Sequence, residues 1–426
     1  MSLENGLPYR SFFVVQSGIR LMIYFYSCCA LNFVPAARVL FESLKQQFPD
    51  CRTVLGLADQ FPDGLESETL GIDEIWSLDE MVSEMEQPRG WVFRHNVMEL
   101  ATALKPFMLD RLLKRDDCEA AIFLDSDCVV FTPLSPVFDA LERASIILTP
   151  HICRPHERDE WIFFELNPHK VGIFNLGFIA VKNTETGKRF ASWWKHRLRR
   201  HCLIEHERGL FTDQKWIDYV PAYFDDHEIL RQPTLNFARW NSYQRDISRS
   251  DSGVILIDGN PAEFIHFSGF YKVGGYVKGL YDQATKPFCN DVALLDELTD
   301  WYAGKLKRDA ERPVFSGPWH FGYYDDGTEV SQQERKFFRS NDALMQRFPD
   351  PFATAGNNSF KTYYDSCQSH GTGAGQNHAA QQGGTENTAE PPRPGRPQGT
   401  SSDGVRRIWN RVKHKTLGLA RRCVSS

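Results

Sequence analysis

The feature that most constrains the fold is an alternation of short apolar runs with amphipathic stretches across the first 180 or so residues. Leu21-Met22-Ile23-Tyr24-Phe25-Tyr26 is rich in β-branched and aromatic residues and reads as a buried strand. Pro35 then suits a helix start, and Ala37, Leu40, Phe41, Leu44 and Phe48 recur at helical spacing. Thr53-Val54-Leu55-Gly56-Leu57 and Ile72-Asp73-Glu74-Ile75-Trp76 predict two further strands. A helix carrying Met98, Leu100, Ala101, Leu104, Phe107, Met108, Leu112 and Leu113 leads into the apolar run Ala120-Ala121-Ile122-Phe123-Leu124. Strands that alternate with helices form a mostly parallel sheet covered on both faces, so the expectation is an α/β fold.

Composition supports a large core and removes some classes of function. Of 426 residues, 42% are hydrophobic and 13% aromatic, enough for one large α/β unit with appendages. A net charge of -6 with interspersed signs excludes the general basic field of a nucleic-acid binder. The ten cysteines show no C-x-x-C pair, which argues against structural zinc or a disulfide framework and predicts buried thiols. No signal-peptide pattern precedes Leu21, and no apolar run reaches the roughly 18–20 residues of a membrane span, so the expected location is cytoplasmic.

The run Ala120 to Leu124 ends on Asp125-Ser126-Asp127. Open α/β sheets bind ligands beyond the carboxyl ends of their strands, which makes this a favoured position for chemistry. Two carboxylates one residue apart can approach a single divalent ion, and such an ion stabilises charge on a departing diphosphate. The plainer alternative is an acidic turn, since Pro133 and Pro136 follow closely. Gly172 to Val181 and Glu263 to Gly269 read as strands with polar residues at their ends, each able to add a side chain to the same crevice.

Leu124-Asp125-Ser126-Asp127 with Pro133-Leu134, then Phe174-Asn175-Leu176-Gly177-Phe178, Asp213-Gln214 and His266-Phe267-Ser268-Gly269, together resemble the ordered motifs of family 8 glycosyltransferases, glycogenin-like and lipopolysaccharide sugar transferases. The resemblance spans about residues 21–275. It implies a GT-A nucleotide-diphospho-sugar transferase fold and a retaining, hexosyltransferase-type enzyme that uses a UDP-type donor and Mn²⁺ or Mg²⁺. Its metal ligands would be Asp125, Asp127 and His266, with Ser126 beside them at the donor. Lys105 resembles the family's donor-contacting basic residue, while Ser27 and Cys28, placed after the first strand, match the site of the nucleotide base. Asn175, Asp213 and Gln214 would line the sugar and acceptor pocket as the catalytic set. Each has a structural alternative: His266 as a core histidine, Asn175 as a turn cap, Thr212 or Asp213 as a helix N-cap, Lys105 as a solvated boundary lysine.

The implied partners are a nucleotide sugar and a glycan or glycolipid acceptor. Two rivals are a nucleotidyltransferase, which should carry a Gly-rich loop where Ser27-Cys28-Cys29-Ala30-Leu31 stands, and a non-catalytic glycan-binding protein. The expected organisation is an N-terminal arm (1–20), the catalytic domain (21–290), a helical and looped subdomain (291–365), a linker (366–404) and a basic tail (405–426). Aromatic and turn residues from Phe315 to Gly327 fit either an acceptor-side surface or subdomain packing. Trp193-Trp194 and the basic run Lys195 to Arg200 predict one helix with a solvated face. In the tail, Val405, Ile408, Trp409, Val412, Thr416, Leu419 and Cys423 share a helical face among seven Lys and Arg, as suits an anionic membrane surface, the alternatives being docking on the enzyme body or a disordered solubilising tail.

Overall fold

The computed structural model describes residues 15–16, 19–157, 159–269, 272–273, 276–277, 279–356 and 358–371. Most of the N-terminal arm, most of the expected linker and the whole basic tail lie outside these residues. A seven-stranded sheet forms the centre. Its strands are β1 (Met22–Cys29), β2 (Arg52–Leu57), β3 (Glu74–Trp76), β4 (Cys118–Leu124), β6 (Ile146–Pro150), β7 (Phe174–Lys182) and β8 (His227–Ile229). They lie in the order β8-β6-β7-β4-β1-β2-β3, and only β7 runs antiparallel to its neighbours. The expected α/β class and parallel-dominated sheet are therefore present.

Burial alternates along β1 as a two-sided strand requires. Tyr24, Tyr26 and Cys28 enter one core cluster, while Phe25 and Cys29 enter the other. The second cluster is closed by α1 (Val34–Gln47) through Leu40, Phe41 and Leu44, with Pro35 in its first turn. The first is closed by α2 (Pro88–Phe93), α3 (Val97–Leu112) and α4 (Glu185–His201). Asn96 starts α3 with a capping box, its side chain accepting from the Glu99 N–H while the Glu99 carboxylate accepts from the Asn96 N–H, both at 2.9 Å. Thr184 accepts from the Gly187 N–H at the start of α4.

A second, three-stranded sheet holds the site in place. β5 (Cys128–Val130) pairs antiparallel with β10 (Phe264–His266), which pairs parallel with β9 (Phe237–Ala238). The register sets His266 opposite Cys128 and Ala238. Chain that follows the expected catalytic domain returns to cover it at two places. Leu294, Leu295, Leu298 and Tyr302 of α5 (Val292–Ala310) pack with Phe237, Ile265 and Phe267. Phe338 of α6 (Gln332–Arg339) meets Phe93 at 5.0 Å, and the buried Arg335 donates to the carbonyls of Phe93, His95 and Phe321. The short α7 (Asp342–Arg347) follows, and α8 (Phe360–Gly371) extends through residues 366–371, the start of the expected linker.

Two local expectations are corrected. Ser27 and Cys28 do not lie after the first strand: β1 continues through Cys29, because residues 24–29 all find burial on one face of the sheet or the other. All nine described cysteines are free, but they are not uniformly buried: Cys153, Cys289 and Cys367 are partly exposed, the first two in loops and the third on α8.

Candidate active site at the end of β4

The strand ending in Leu124 delivers Asp125 and Asp127 to the carboxyl edge of the sheet. Two backbone bonds fix the turn: Asp125 N–H donates to Gly177 O at 2.9 Å and Cys128 N–H to Asp125 O at 2.9 Å. Phe267 N–H donates to Asp127 O at 2.8 Å, which draws the end of β10 onto the same turn. His266 consequently faces both carboxylates, with Nε2 3.0 Å from Asp127 Oδ1 and 3.8 Å from Asp125 Oδ2. The histidine side chain is 4% exposed, whereas those of Asp127 and Asp125 retain 17% and 32%, so the carboxylates are the accessible edge of the cluster.

A relay of buried amides and imidazoles fixes the His266 tautomer. His151 Nδ1–H donates to Ile173 O at 3.3 Å, and His151 Nε2 accepts from Asn175 Nδ2–H at 3.1 Å. Asn175 Oδ1 accepts from Asn236 Nδ2–H at 2.9 Å and from Gly177 N–H at 3.1 Å. Asn236 Oδ1, 3.3 Å from His266 Nδ1, accepts the proton on that nitrogen. With Nδ1 committed as a donor, Nε2 is the nitrogen turned toward the carboxylates. Burial pushes the His151 pKa down to about 4, which keeps it neutral and able to accept.

Gly177 is required by this packing. A Cβ built there would lie 2.4 Å from His266 Cε1 and 2.8 Å from Asn175 Oδ1. Asn236 holds a left-handed backbone with φ 54°, which Asn adopts more readily than most residues. Trp240 stands edge-on to His266 with ring centroids 5.0 Å apart.

Charge is concentrated here. Burial raises the Asp125 pKa against the opposing pull of Lys105 and His266, while His266 outweighs burial at Asp127 and holds it low. His266 itself is raised well above its usual range, burial being overcome by Cys128 and Asp127 beside it. Lys105 is buried against the Phe123 ring, with Nζ 4.3 Å from the centroid. Its ammonium donates to Leu176 O at 2.9 Å and sits 3.2 Å from Asp125 Oδ1 and 3.0 Å from Asp213 Oδ2. Lys105 is thus buried between two carboxylates, with one hydrogen bond to a backbone carbonyl.

Asp125, Asp127, His266, Lys105, Asn175 and Asp213 thus converge. Asp213 is buried and does not cap the short 3₁₀ helix Gln214–Tyr219; Thr212 Oγ1 donates to its Oδ1 at 3.0 Å. Gln214 is at one remove, its Oε1 accepting from Leu176 N–H at 3.4 Å. Ser126 is buried in the turn between the two aspartates. Cys28 lies within the electrostatic reach of Lys105 and Asp125, and burial pushes its thiol up to about 12. Ser27 is wholly buried on the opposite face of β1, and its Oγ has no hydrogen-bond partner among the described residues.

The donor set fits a divalent cation. Asp127 and His266 present one oxygen and one nitrogen close together, with Asp125 adjacent, and oxygen and imidazole ligands suit Mn²⁺ or Mg²⁺ better than a thiol does. Cys128 Sγ also lies within 4.8 Å of the Asp127 and His266 ligand atoms. Burial pushes that thiol up to about 11, and it faces Gly177 O at 3.9 Å. Sequence reasoning missed Cys128, Asn236 and His151, while Gly177 is named there only as part of its motif. The non-glycine left-handed backbone at Asn236 has no sequence signature, and His151 sits in a loop without periodicity.

No protein-family model matches the chain. Bacillus subtilis (strain 168) YfnF is 30% identical over 174 residues, 40% of this chain and 57% of its own length. YfnD of the same organism is 29% identical over 192 residues, 44% and 59%. Both bear the name of uncharacterized proteins, and the chain spans less than two thirds of either. Among solved structures it is similar to the glycosyltransferase GlyE of Streptococcus pneumoniae TIGR4 (13% identity, TM-score 0.39, 69% of this chain and 64% of that one). It is also similar to the galactosyltransferase LgtC, crystallised with donor and acceptor sugar analogues (13%, TM-score 0.38, 67% and 100%). A third is mouse xyloside xylosyltransferase 1 (13%, TM-score 0.35, 59% and 99%). At such low TM-scores these likenesses define no function, and the chemistry of the chain rests on its own residues.

Proposed function

We propose that this chain is a metal-dependent GT-A glycosyltransferase that moves a hexose from a nucleotide-diphosphate sugar, of UDP type, to a hydroxyl of a glycan or glycolipid. The observation that carries the reading is the convergence of Asp125, Asp127 and a tautomer-fixed His266 at the carboxyl end of a central strand. These three residues would hold Mn²⁺ or Mg²⁺, which when bound offsets the charge that grows on the departing diphosphate. Lys105 keeps the Asp125 carboxylate in position and ties it to Asp213. Asn175 works through Asn236 on His266, and so is a positioning residue in this arrangement.

In an inverting reaction Asp213 or Asp325 would be the candidate acceptor-side base, and Asp213, 3% exposed and 3.0 Å from Lys105 Nζ, is disfavoured in that role. The retaining course rests on the family resemblance. The segment from Ala30 into α1 contains no glycine, which weighs against a nucleotidyltransferase phosphate loop. Among the described residues no helix is long and apolar enough to cross a membrane, and the proposed cytoplasmic, peripheral placement rests on the basic sequence of residues 405–423. A thermal-shift screen of nucleotide sugars with and without Mn²⁺ tests the reading. One donor should raise the melting temperature only with the ion; stabilisation by none, or equally without metal, contradicts it.

A further inference from the structure

The basic run on α4 lies far along the chain from the aspartate turn, and the function above does not use it. It borders a cleft of about 470 Å³, a size within the usual range of ligand pockets. The walls are α2, the last turns of α4 and α7, which contribute Arg94, Arg197, Arg199 and Arg200 against Glu86 and Asp342. Arg200 pairs with Asp342 at 2.9 Å. Arg94, Arg197 and Arg199 have no carboxylate within ion-pair distance among the described residues, so the cleft carries uncompensated positive charge.

Arg94 is the built component. The residue is 6% exposed, and Nη2 donates to Arg200 O at 3.2 Å. Its Nε is shielded from solvent and has no hydrogen-bond partner among the described residues, so Arg94 brings buried charge to the cleft wall and no open Nε donor. The crowding is felt nearby: burial lowers the His201 pKa, and Arg208, Arg94, Arg200 and Arg197 lower it further. Lys195, on the same helix, is different, being neutralised by Glu84 and Asp110 at 2.9 and 2.6 Å. The Lys195 charge is therefore not part of the cleft.

We propose that this cleft binds a phosphate-bearing anion through Arg94, Arg197 and Arg199, at a site separate from the Asp125–Asp127 turn. Arginine forks match phosphate oxygens in pairs, and a cleft with several unpaired guanidinium groups suits a phosphorylated small molecule or a phosphate headgroup. The inference is independent of the glycosyltransferase reading.

The test is titration of the full chain with inorganic phosphate and with pyrophosphate in EDTA, which removes metal-assisted binding at the aspartate turn. Melting temperature is the readout, with sodium chloride at matched ionic strength as the control. Stabilisation beyond the chloride control is expected, with affinity at least tenfold weaker in Arg197→Ala/Arg199→Ala, whose side chains lie toward the surface, and unchanged in Asp125→Ala/Asp127→Ala. Absence of a specific shift, its retention in the arginine variant, or its loss in the aspartate variant instead overturns the proposal. Vesicles of phosphatidylcholine with phosphatidic acid separate the two sources. Weaker binding by the arginine variant than by the parent, both carrying the basic tail, assigns a lipid headgroup, while equal vesicle binding together with the soluble-anion shift assigns a free phosphate compound.

Discussion

At the residue scale, His266 shows how a side chain that reads as a core histidine becomes a ligand candidate. Its neighbours Ile265 and Phe267 are buried, as the apolar sequence implies. What distinguishes it is the Asn236 amide at 3.3 Å behind Nδ1 and the Asp127 carboxylate at 3.0 Å in front of Nε2. Asn236→Gly keeps the left-handed backbone accessible and removes the amide, so Mn²⁺ affinity should fall about 10- to 100-fold with the fold retained, as for other partners of metal-binding histidines. Titration of Mn²⁺ against activity checks this, and an unchanged midpoint would make the amide irrelevant to the ion. Gly177→Ala places a methyl group against the His266 ring and should lower activity by at least tenfold, with circular dichroism little altered. By contrast, Cys128→Ala should retain metal dependence, because the hard donors are the carboxylates and imidazole. Loss of Mn²⁺ stimulation in that variant would move the thiol into the ligand set.

At the element scale, the junction of α2 and α3 is closed by residues that come from some 240 positions later in the chain. Arg335 donates to Phe93 O, His95 O and Phe321 O at 2.9, 2.7 and 2.6 Å. Arg335→Ala strands three carbonyls beside a cavity, and a loss of about 3 kcal/mol or more is expected in denaturant unfolding; a loss below about 1 kcal/mol would show that these bonds are replaced by water. His95 at the same junction is fully buried, its Nδ1–H donating to Trp91 O at 2.8 Å. Burial, then the charge of Arg94, holds its pKa well below the ordinary value. The unfolded chain takes up this proton near pH 6.5 and the folded chain only at much lower pH, so stability falls as pH drops below about 6.5. His151, held at about 4, acts in the same direction. Melting temperatures between pH 7 and 4.5 should decline less steeply in His95→Gln, and parallel curves would remove His95 from the cause.

Much of this scale was legible in the sequence. Strand β4 and its terminal aspartates follow from five apolar residues interrupted by charge, and α3 and α5 follow from their periodicity. Ser27 and Cys28 were misplaced because small residues after an aromatic run resemble a loop, while the sheet accepts them as strand. The Phe315–Gly327 segment reads as open between packing and ligand contact, and the structure shows the packing. Trp319 Nε1–H donates to Ala58 O at 2.9 Å, while His320, Tyr323 and Asp325 line a cavity of about 710 Å³. The Asn175–Asn236–His266 relay was not legible as a whole, because its members meet only through the pairing of β10 with β9 and β5.

At the scale of the whole molecule, two sheets and a returning C-terminal region bring together residues separated by some 160 positions. Lys105, Asp125, Asp127, Asp213 and His266 come from a helix, a turn, a loop and a strand of the second sheet. Such a cluster is costly to bury; Lys105 and His266 offset part of its carboxylate charge, and under the proposed function a bound cation would offset the rest at the accessible edge. The most direct measurement is release of nucleotide from a panel of nucleotide sugars by the full chain, its Asp125→Ala variant and its Asp127→Ala variant, with Mn²⁺ or with excess EDTA. One donor should be turned over by the parent chain with Mn²⁺, at a rate reduced at least 100-fold by either substitution or by EDTA, with melting temperatures close to the parent's. Turnover that persists in both variants or in EDTA, or a parent chain that turns over no donor, would contradict the account.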